Sequence, residues 1–472
     1  MKNLLTLSVV FLTSIVHAPT GEASPQPNVL FLLTDDQRFD ALGCMGHPHL
    51  KTPHIDRIAN EGLLFRNHFC TTSLCSPSRA SILSGLYAHS HGVANNFTEY
   101  PAGMVSFPMR LQELGYETAY LGKWHMGEKN DNPRPGFDYF VTHKGQGKYF
   151  DTEFNFNGQG RRIVPGYYTT VVTDLAQQWI SERKGNRPWL LMIGHKAPHS
   201  FYVPEKKYEQ TFDDVEIGYP KSAFHLHDKP AWFKKRLDTW HGIYGPLFEW
   251  RKEFPDKRPA AVADFARMVR AYWGTILSVD DGVGRLYDFL KQRGELDNTL
   301  IIFTSDNGPL KGDRTPFLDS AGGLRGTKAT LYEGGLRVPM IARWPGAIPE
   351  GQVRSGPWMF VDVFPTLIEV AGGSVPDGLD GISVLPTLKG EPQDLSDRAL
   401  YWEFSRDRLW QAVRKGPWKG IRFGSDQPLE LYNLEHDRAE SKNLASDYPE
   451  VVANLETIMD ASHVPSPHWP VD

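Results

Sequence analysis

Short, almost uninterrupted apolar runs recur along the chain, and each one ends in polar residues capable of chemistry. Val29-Leu30-Phe31-Leu32-Leu33 leads into Thr34-Asp35-Asp36-Gln37, and Glu117-Thr118-Ala119-Tyr120-Leu121 into Gly122-Lys123-Trp124-His125. Trp189-Leu190-Leu191-Met192-Ile193 leads into Gly194-His195, with His199 close behind, and Leu300-Ile301-Ile302-Phe303 into Thr304-Ser305-Asp306-Asn307. Runs this short and this apolar suit strands buried on both faces of a parallel sheet. Ligands of such sheets gather beyond the carboxyl ends of the strands, which is where these titratable groups fall. Between the runs, apolar positions take helical spacing over Ile55 to Phe65, Val171 to Arg183, Val262 to Gln292 and Val361 to Ala371, with Gly115 and Gly372 placed as C-caps. Strands alternating with helices predict an α/β fold with a doubly wound, mostly parallel sheet flanked by helices.

Three segments depart from this rhythm. Residues 200–258 are rich in aromatics and proline, with Tyr202, Phe224, Trp232, Trp240, Tyr244 and Trp250, and read as an insertion: a lid or sugar-facing wall, or a segment packed on the main domain. From about residue 395, Trp410 to Arg414 and Leu429 to Tyr432 look like short strands and Pro449 to Met459 like a helix, predicting a small C-terminal α+β subdomain over 395–472. At the N-terminus, Lys2, the apolar stretch Leu4 to Val16 and the small residues around Ala18 or Ala23 describe a signal peptide within residues 1–23. That leaves 24–394 as the main α/β domain. The N-terminal run is too short to cross a bilayer, and no later stretch reaches the roughly 20 apolar residues a membrane helix needs. The expectation is an exported protein, periplasmic or secreted, with no membrane span.

Composition narrows the function classes. The 472 residues are 40% hydrophobic and 23% charged, ordinary for a globular protein. Lys and Arg total 51 against 56 Asp and Glu, a net charge of −5, which argues against a nucleic-acid partner. It leaves a small anionic substrate open, because that needs only a local cationic pocket. Three cysteines, Cys44, Cys70 and Cys75, are too few for a disulfide framework, although Cys44 and Cys70 could pair in an exported protein.

Cys75 stands in Cys75-Ser76-Pro77-Ser78-Arg79-Ala80-Ser81-Ile82-Leu83. Pro77 suits the first turn of a helix, so Cys75 would sit at a helix N-terminus beside unpaired N–H groups, with Arg79 one turn in on the same side. Such a site favours anions. On its own the pattern permits a low-pKa catalytic thiol and also an inert buried cysteine.

The segment resembles the C-x-P-S-R signature of the formylglycine-dependent sulfatases of the alkaline phosphatase superfamily. Asp35-Asp36-Gln37, Gly122-Lys123-Trp124-His125, Ala197-Pro198-His199, Ser305-Asp306-Asn307-Gly308, Arg325-Gly326-Thr327-Lys328 and Glu333-Gly334-Gly335-Leu336-Arg337-Val338-Pro339 resemble further family blocks in family order, over roughly residues 27 to 445. The resemblance implies a sulfatase, and export together with the aromatic insertion favours sulfated carbohydrates as its substrates. A partner, the formylglycine-generating or sulfatase-maturing enzyme, would oxidise Cys75 to an aldehyde whose hydrate is the nucleophile. It also implies one Ca²⁺ held by Asp35, Asp36, Asp306, Asn307 and the residue made from Cys75, in keeping with hard oxygen ligands. Arg79, Lys123 and Lys328 would clamp sulfate oxygens. His125 would take a proton from the hydrate, and His199 or Lys328 would protonate the leaving oxygen. His195 competes with His199 for that place. The alternatives are a phosphatase, phosphodiesterase or phosphonate monoester hydrolase of the same superfamily, or a non-catalytic binder of sulfated glycans. His47, His49 and His54 have no convincing ligand partners, Asp280-Asp281 reads as a solvated or capping pair, and Asn96-Phe97-Thr98 matches a glycosylation sequon.

Overall fold

In the computed structural model, which describes residues 26–219, 259–309, 321–405 and 408–466, the apolar runs become strands. The N-terminal apolar stretch, and Phe224, Trp232, Trp240, Tyr244 and Trp250 of the aromatic segment, lie outside the described residues. In chain order the strands are β1 (Asn28–Thr34), β2 (Leu63–Phe65), β3 (His68–Phe69), β4 (Glu117–Gly122), β5 (Tyr139–Thr142), β6 (Phe150–Phe156), β7 (Arg161–Tyr167) and β8 (Trp189–Gly194). They continue with β9 (Thr299–Ser305), β10 (Met340–Arg343), β11 (Gln352–Arg354), β12 (Trp358–Met359), β13 (Ala399–Ser405), β14 (Leu409–Lys415), β15 (Trp418–Phe423) and β16 (Glu430–Asn433). Ten of them form one sheet in the order β11-β2-β10-β9-β1-β8-β4-β5-β6-β7. Its centre, β9-β1-β8-β4-β5, is parallel throughout, while β10, β6 and β7 pair antiparallel.

The longer helices are α1 (Pro53–Asn60), α2 (Cys75–Ser84), α3 (Phe107–Glu113), α4 (Tyr168–Glu182), α5 (Pro259–Gln292), α6 (Val363–Val370) and α7 (Pro449–Ser462). Side chains alternate across a strand, and β1 shows why both faces must be covered. Val29, Phe31 and Leu33 enter one core with Ile82 and Leu83 of α2, Phe107 and Leu111 of α3 and Phe364 and Leu367 of α6. Leu30 and Leu32 enter the opposite core with Ile55 and Ile58 of α1, Val172 and Ile180 of α4 and Val279, Val283 and Leu286 of α5. Each such side chain contributes about 1.5–3 kcal/mol on burial, so β1 is gripped from both sides.

The helical spacing over Ile55 to Phe65 resolves into two elements, α1 ending at Asn60 and β2 beginning at Leu63. Gly62 marks the break: a Cβ there would lie 2.2 Å from the carbonyl of Ala342 on the partner strand β10. Asp280, within α5, accepts backbone N–H groups of His54 and Ile55 at 3.1 and 2.8 Å, so it caps the start of α1 from another helix. Asp281 is solvent-facing and pairs with Lys207 at 2.8 Å. Cys44 and Cys70 are both free.

β13-β14-β15-β16 form a separate antiparallel sheet, covered by α7 through Leu455 and Met459 packed on Tyr401, Val413 and Leu431. It is bound to the main body by buried charges. Lys419 on β15 lies 3.1 Å from Glu333 and 2.8 Å from Glu440, and Glu333 also holds Arg337 at 2.6 Å. Trp402 donates its indole N–H to the carbonyl of Cys70 at 2.8 Å.

Candidate functional site

The carboxyl ends of β1, β9, β4 and β8 deliver their polar residues to one place. β1 and β9 are parallel neighbours, so Asp35-Asp36 and Asp306-Asn307 emerge side by side, with the Asp306 N–H on the carbonyl of Thr34 at 3.0 Å. Asp36 adopts φ +59°, a left-handed conformation that turns its carboxylate inward, and its own N–H donates to Asp306 Oδ1 at 3.2 Å. α2 enters the same space with Cys75 at its first position, and all ten of its residues are buried. Ligand atoms of Asp35, Asp36, Cys75 and Asp306 all lie within 4.8 Å of one another.

Cations close the cluster. Lys328 Nζ stands 2.8 Å from Cys75 Sγ and 2.5 Å from Asp36 Oδ1, and Lys123 Nζ stands 4.0 Å from the same sulfur while pairing with Asp35. Two ammonium groups therefore flank the Cys75 side chain. Arg79 points Nε and Nη2 at Asp306 Oδ2, at 2.9 and 2.8 Å, and donates Nη1 to the carbonyl of Lys123 at 2.5 Å. Lys123 can turn in because Gly122 precedes it at φ +98°, where a Cβ would lie 2.2 Å from the Gly194 carbonyl.

Both candidate histidines are present. His199 Nε2 lies 3.6 Å from Asp36 Oδ2. His125, at φ +52°, is buried, and its Nε2 meets Gln146 Nε2 at 3.1 Å. His195 is buried and its Nδ1 has no hydrogen-bond partner; no ion pair joins it to the acidic cluster, so His199 has the better position. The structure thus brings Asp35, Asp36, Cys75, Arg79, Lys123, His199, Asp306, Asn307 and Lys328 into one cluster, with His125 joined to it through Gln146. Gln146 was not singled out from the sequence: its Oε1 accepts from Lys123 Nζ at 2.5 Å. The only trace it leaves in the sequence is Gly145-Gln146-Gly147, two residues beyond the strand-like Phe140-Val141-Thr142.

Burial and charge pull the ionisable groups apart. Burial alone would raise the Asp35 carboxyl, but Lys123, His199, Lys328 and Arg79 hold it well below the usual carboxylate range. Asp306 goes the other way, to about 6, because burial and the Asp35 charge outweigh Arg79. Burial and Asp35 push the Cys75 thiol up, so the unmodified cysteine is a poor nucleophile here. Burial lowers His199 to about 4 and Lys196, next to the site, to about 8.

The donor set fits a hard divalent cation such as Ca²⁺. Its oxygens come from carboxylates and one amide, and two of them, Asp36 Oδ2 and Asn307 Oδ1, are buried without a hydrogen-bond donor. Burying bare acceptors is costly, and a cation among them would satisfy both.

The parallel sheet with a buried acid–lysine–arginine cluster beyond its strand ends is the architecture of the alkaline phosphatase superfamily. Within it, the chain belongs to the sulfatase family and is a sulfuric ester hydrolase: the sulfatase model matches residues 27–374, and the model described as N-sulphoglucosamine sulphohydrolase, C-terminal, matches residues 326–464. An N-acetylglucosamine-6-O-sulfatase of Bacteroides thetaiotaomicron is 31% identical, covering 93% of this chain and 86% of that protein. The human N-acetylglucosamine-6-sulfatase is also 31% identical, over 77% of this chain and 65% of its own length. A structure solved in complex with its substrate D-glucosamine-2-N,6-O-disulfate superposes with a TM-score of 0.79 at 29% identity, covering 93% of this chain and 97% of that one. Among the described residues no helix is long and apolar enough to cross a membrane.

Proposed function

We propose that the protein hydrolyses sulfate esters of carbohydrates, with the 6-O-sulfate of a glucosamine-type sugar as the substrate class, through a formylglycine made from Cys75. The observation that carries the chemistry is the place of Cys75: the first residue of α2, its sulfur 2.8 Å from one lysine and 4.0 Å from another, beside three buried carboxylates. The substrate class rests on the two 6-sulfatase relatives and the disulfated-glucosamine complex. An aldehyde hydrate at position 75 would supply a nucleophilic hydroxyl for sulfur and a second one for releasing sulfate. A Ca²⁺ held by Asp35, Asp36, Asp306, Asn307 and residue 75 would orient that group and polarise a sulfate oxygen.

The remaining work falls to this chain's own side chains. Lys123 and Lys328, on either side of residue 75, neutralise charge on the transferring sulfuryl oxygens. Arg79 adds its charge to that clamp and, through its pair with Asp306, holds that carboxylate in its ligating position. His125 accepts the proton that leaves residue 75, and its neutral form suits that task because burial and then Lys123 hold it well below the ordinary histidine range. His199, or Lys328, protonates the departing sugar oxygen. The N-terminal segment is read as a signal peptide and the protein as exported, to the periplasm or the medium, after contact with a maturing enzyme.

Matched kinetics on N-acetylglucosamine-6-sulfate and N-acetylglucosamine-6-phosphate test the proposal. Charge alone would not reject phosphate, so discrimination has to appear in turnover. A higher kcat/KM for the sulfate is expected, with the phosphate binding as an inhibitor. Faster turnover of the phosphate would replace this reading with a phosphohydrolase.

A further inference from the structure

Three side chains from distant parts of the chain meet outside the acidic cluster: His89 in the turn Ala88–His91 that follows α2, Glu403 on β13, and His463 directly after α7. One ligand atom from each lies within 4.8 Å of the others. His89 Nδ1 stands 2.7 Å from Glu403 Oε1 and His463 Nδ1 stands 3.0 Å from Oε2, so each oxygen of the carboxylate faces an imidazole nitrogen. The two rings meet edge to face, with centroids 5.8 Å apart. Side-chain exposure is 1% for His89, 2% for Glu403 and 10% for His463.

Among the described residues Glu403 has no permanent counter-charge. Burial works to raise its carboxyl, yet hydrogen bonds from His463, His89 and Tyr401 hold it below the usual carboxylate range, so it is ionised at neutral pH. A buried carboxylate needs a compensating charge. No Lys or Arg among the described residues pairs with it; its partners are the two histidines, which are charged only when protonated. The nearby Asp380 is a further acid rather than a cation. The surrounding side chains orient the carboxylate without neutralising it. The Tyr401 hydroxyl donates to Oε2 at 2.7 Å, Gln411 Nε2 donates to that hydroxyl at 2.9 Å, and Arg422 holds Gln411 Oε1 at 2.7 Å while pairing with Asp460. Carboxylates that bind metal ions are fixed by outer partners of this kind.

We propose that His89, Glu403 and His463 form a second metal site, for a divalent transition ion of the Zn²⁺ type, which fastens the C-terminal tail and the second sheet to the turn following α2. Two imidazoles with one carboxylate suit zinc, whereas calcium prefers an all-oxygen shell. A carboxylate only accepts hydrogen bonds, so in the metal-free protein each Nδ1 facing it carries a proton. On binding, the ion takes the Nδ1 lone pair of each ring and the proton of each neutral ring moves to Nε2, while the carboxylate stays anionic and faces a dication. His463 Nε2 is buried without a partner in either tautomer, so it weighs equally on both states. Water completes the coordination from the side of His463, the least buried of the three. The ligands span most of the chain, so the ion favours the folded state by closing a long loop. The site shares no residue with the acidic cluster, and the proposal stands apart from the sulfatase reading.

The test uses the full-length protein, stripped with a chelator and returned to excess Ca²⁺. It is then equilibrated with Zn²⁺, desalted and analysed for bound metal. The wild type is expected to hold one zinc per chain more than His463→Gln or His89→Gln. Glutamine keeps an N–H for Glu403 but is a poor zinc ligand, and unchanged turnover of His463→Gln shows that this variant has folded. At a Zn²⁺ concentration about a thousand times Kd, Tm of the wild type should rise by about 4 °C, with neither variant moving. Co²⁺ in place of Zn²⁺ should give the visible bands of a nitrogen- and oxygen-bound ion in the wild type alone. A wild type that binds no zinc, or zinc that binds and stabilises all three proteins alike, would overturn the proposal.

Discussion

Removing the divalent ion should reveal a pH dependence that Asp306 dominates. In the metal-free protein Arg79, Lys123 and Lys328 face Asp35, Asp36 and Asp306, all buried. Asp306 has an unfolded-state value of 3.8 and is raised to about 6 in the fold by burial and by Asp35. A raised carboxyl favours the folded state while it is protonated. Its contribution is therefore complete below about pH 4 and lost as pH climbs through 6. Two pK units correspond to about 3 kcal/mol. Asp35, whose carboxyl is depressed, acts in the opposite sense but only below its unfolded value of 3.8, outside this window. Asp280 and Glu440, each raised to about 7, titrate in the same window and would blur a single curve. The difference between wild type and Asp306→Asn removes them, since the amide imitates the protonated acid. With an unfolding entropy of about 2.1 cal/mol/K per residue, 3 kcal/mol over a chain of this length is about 3 °C in Tm. Thermal unfolding of both proteins after chelation, at pH 4 and pH 8, should show the difference in Tm between Asp306→Asn and wild type moving by about 2 °C in the variant's favour at the higher pH, a comparison from which the constant cost of leaving Arg79 without its carboxylate drops out. Ca²⁺ should then raise Tm of the wild type at pH 8 and leave the variant nearly unchanged. Parallel pH curves for the two stripped proteins would refute the assignment of a shared buried charge.

Coexpression with a maturing enzyme should leave the Cys75 peptide with the mass of an aldehyde or its hydrate, and Cys75→Ala should fold yet turn nothing over; an active Cys75→Ala enzyme would end the formylglycine reading. Lys328→Ala should lower kcat about 10²-fold or more, the usual loss for a group that stabilises transition-state charge, and steady-state kinetics on a 6-O-sulfated sugar would show it. Glu333→Gln leaves Arg337 and Lys419 without their shared carboxylate in a fully buried setting, so it should cost about 3–5 kcal/mol and lower Tm by about 3–5 °C with kcat preserved at permissive temperature.

The parallel centre of the sheet could be read from the sequence because β1, β4, β8 and β9 are buried on both faces and so spell near-continuous apolar runs. Helical spacing was less selective: Leu63-Leu64-Phe65 continued the pattern of α1, and only Gly62 and its approach to Ala342 distinguish strand from helix. Acidic pairs at strand ends were legible for the same reason as the strands. The Lys419–Glu333–Glu440 clamp was not, since three charges far apart in the chain meet only after the second sheet folds against the first. Gln146 escaped because glutamine carries no charge and titrates nowhere; its importance lies in which neighbours it faces. Asn96 shows the converse. It matched a sequon that carried little meaning, while its Oδ1 accepts the Ser76 N–H at 3.2 Å, bracing the turn that bears Cys75.

The complete enclosure of α2 sets an order of events. Cys75 has no exposed surface, and neither it nor its neighbours through Ser84 reach solvent to any useful extent. Withdrawing this helix would strip one side of β1 of its packing and unseat Arg79 from Asp306, which amounts to unfolding the domain. An enzyme that oxidised Cys75 could reach it only on a chain that has not yet closed around it, during synthesis or before export ends. On the formylglycine reading, the finished protein would be sealed against a second chance: a molecule that folded with the thiol intact would stay inert, and the active fraction of a preparation would record a race between modification and folding.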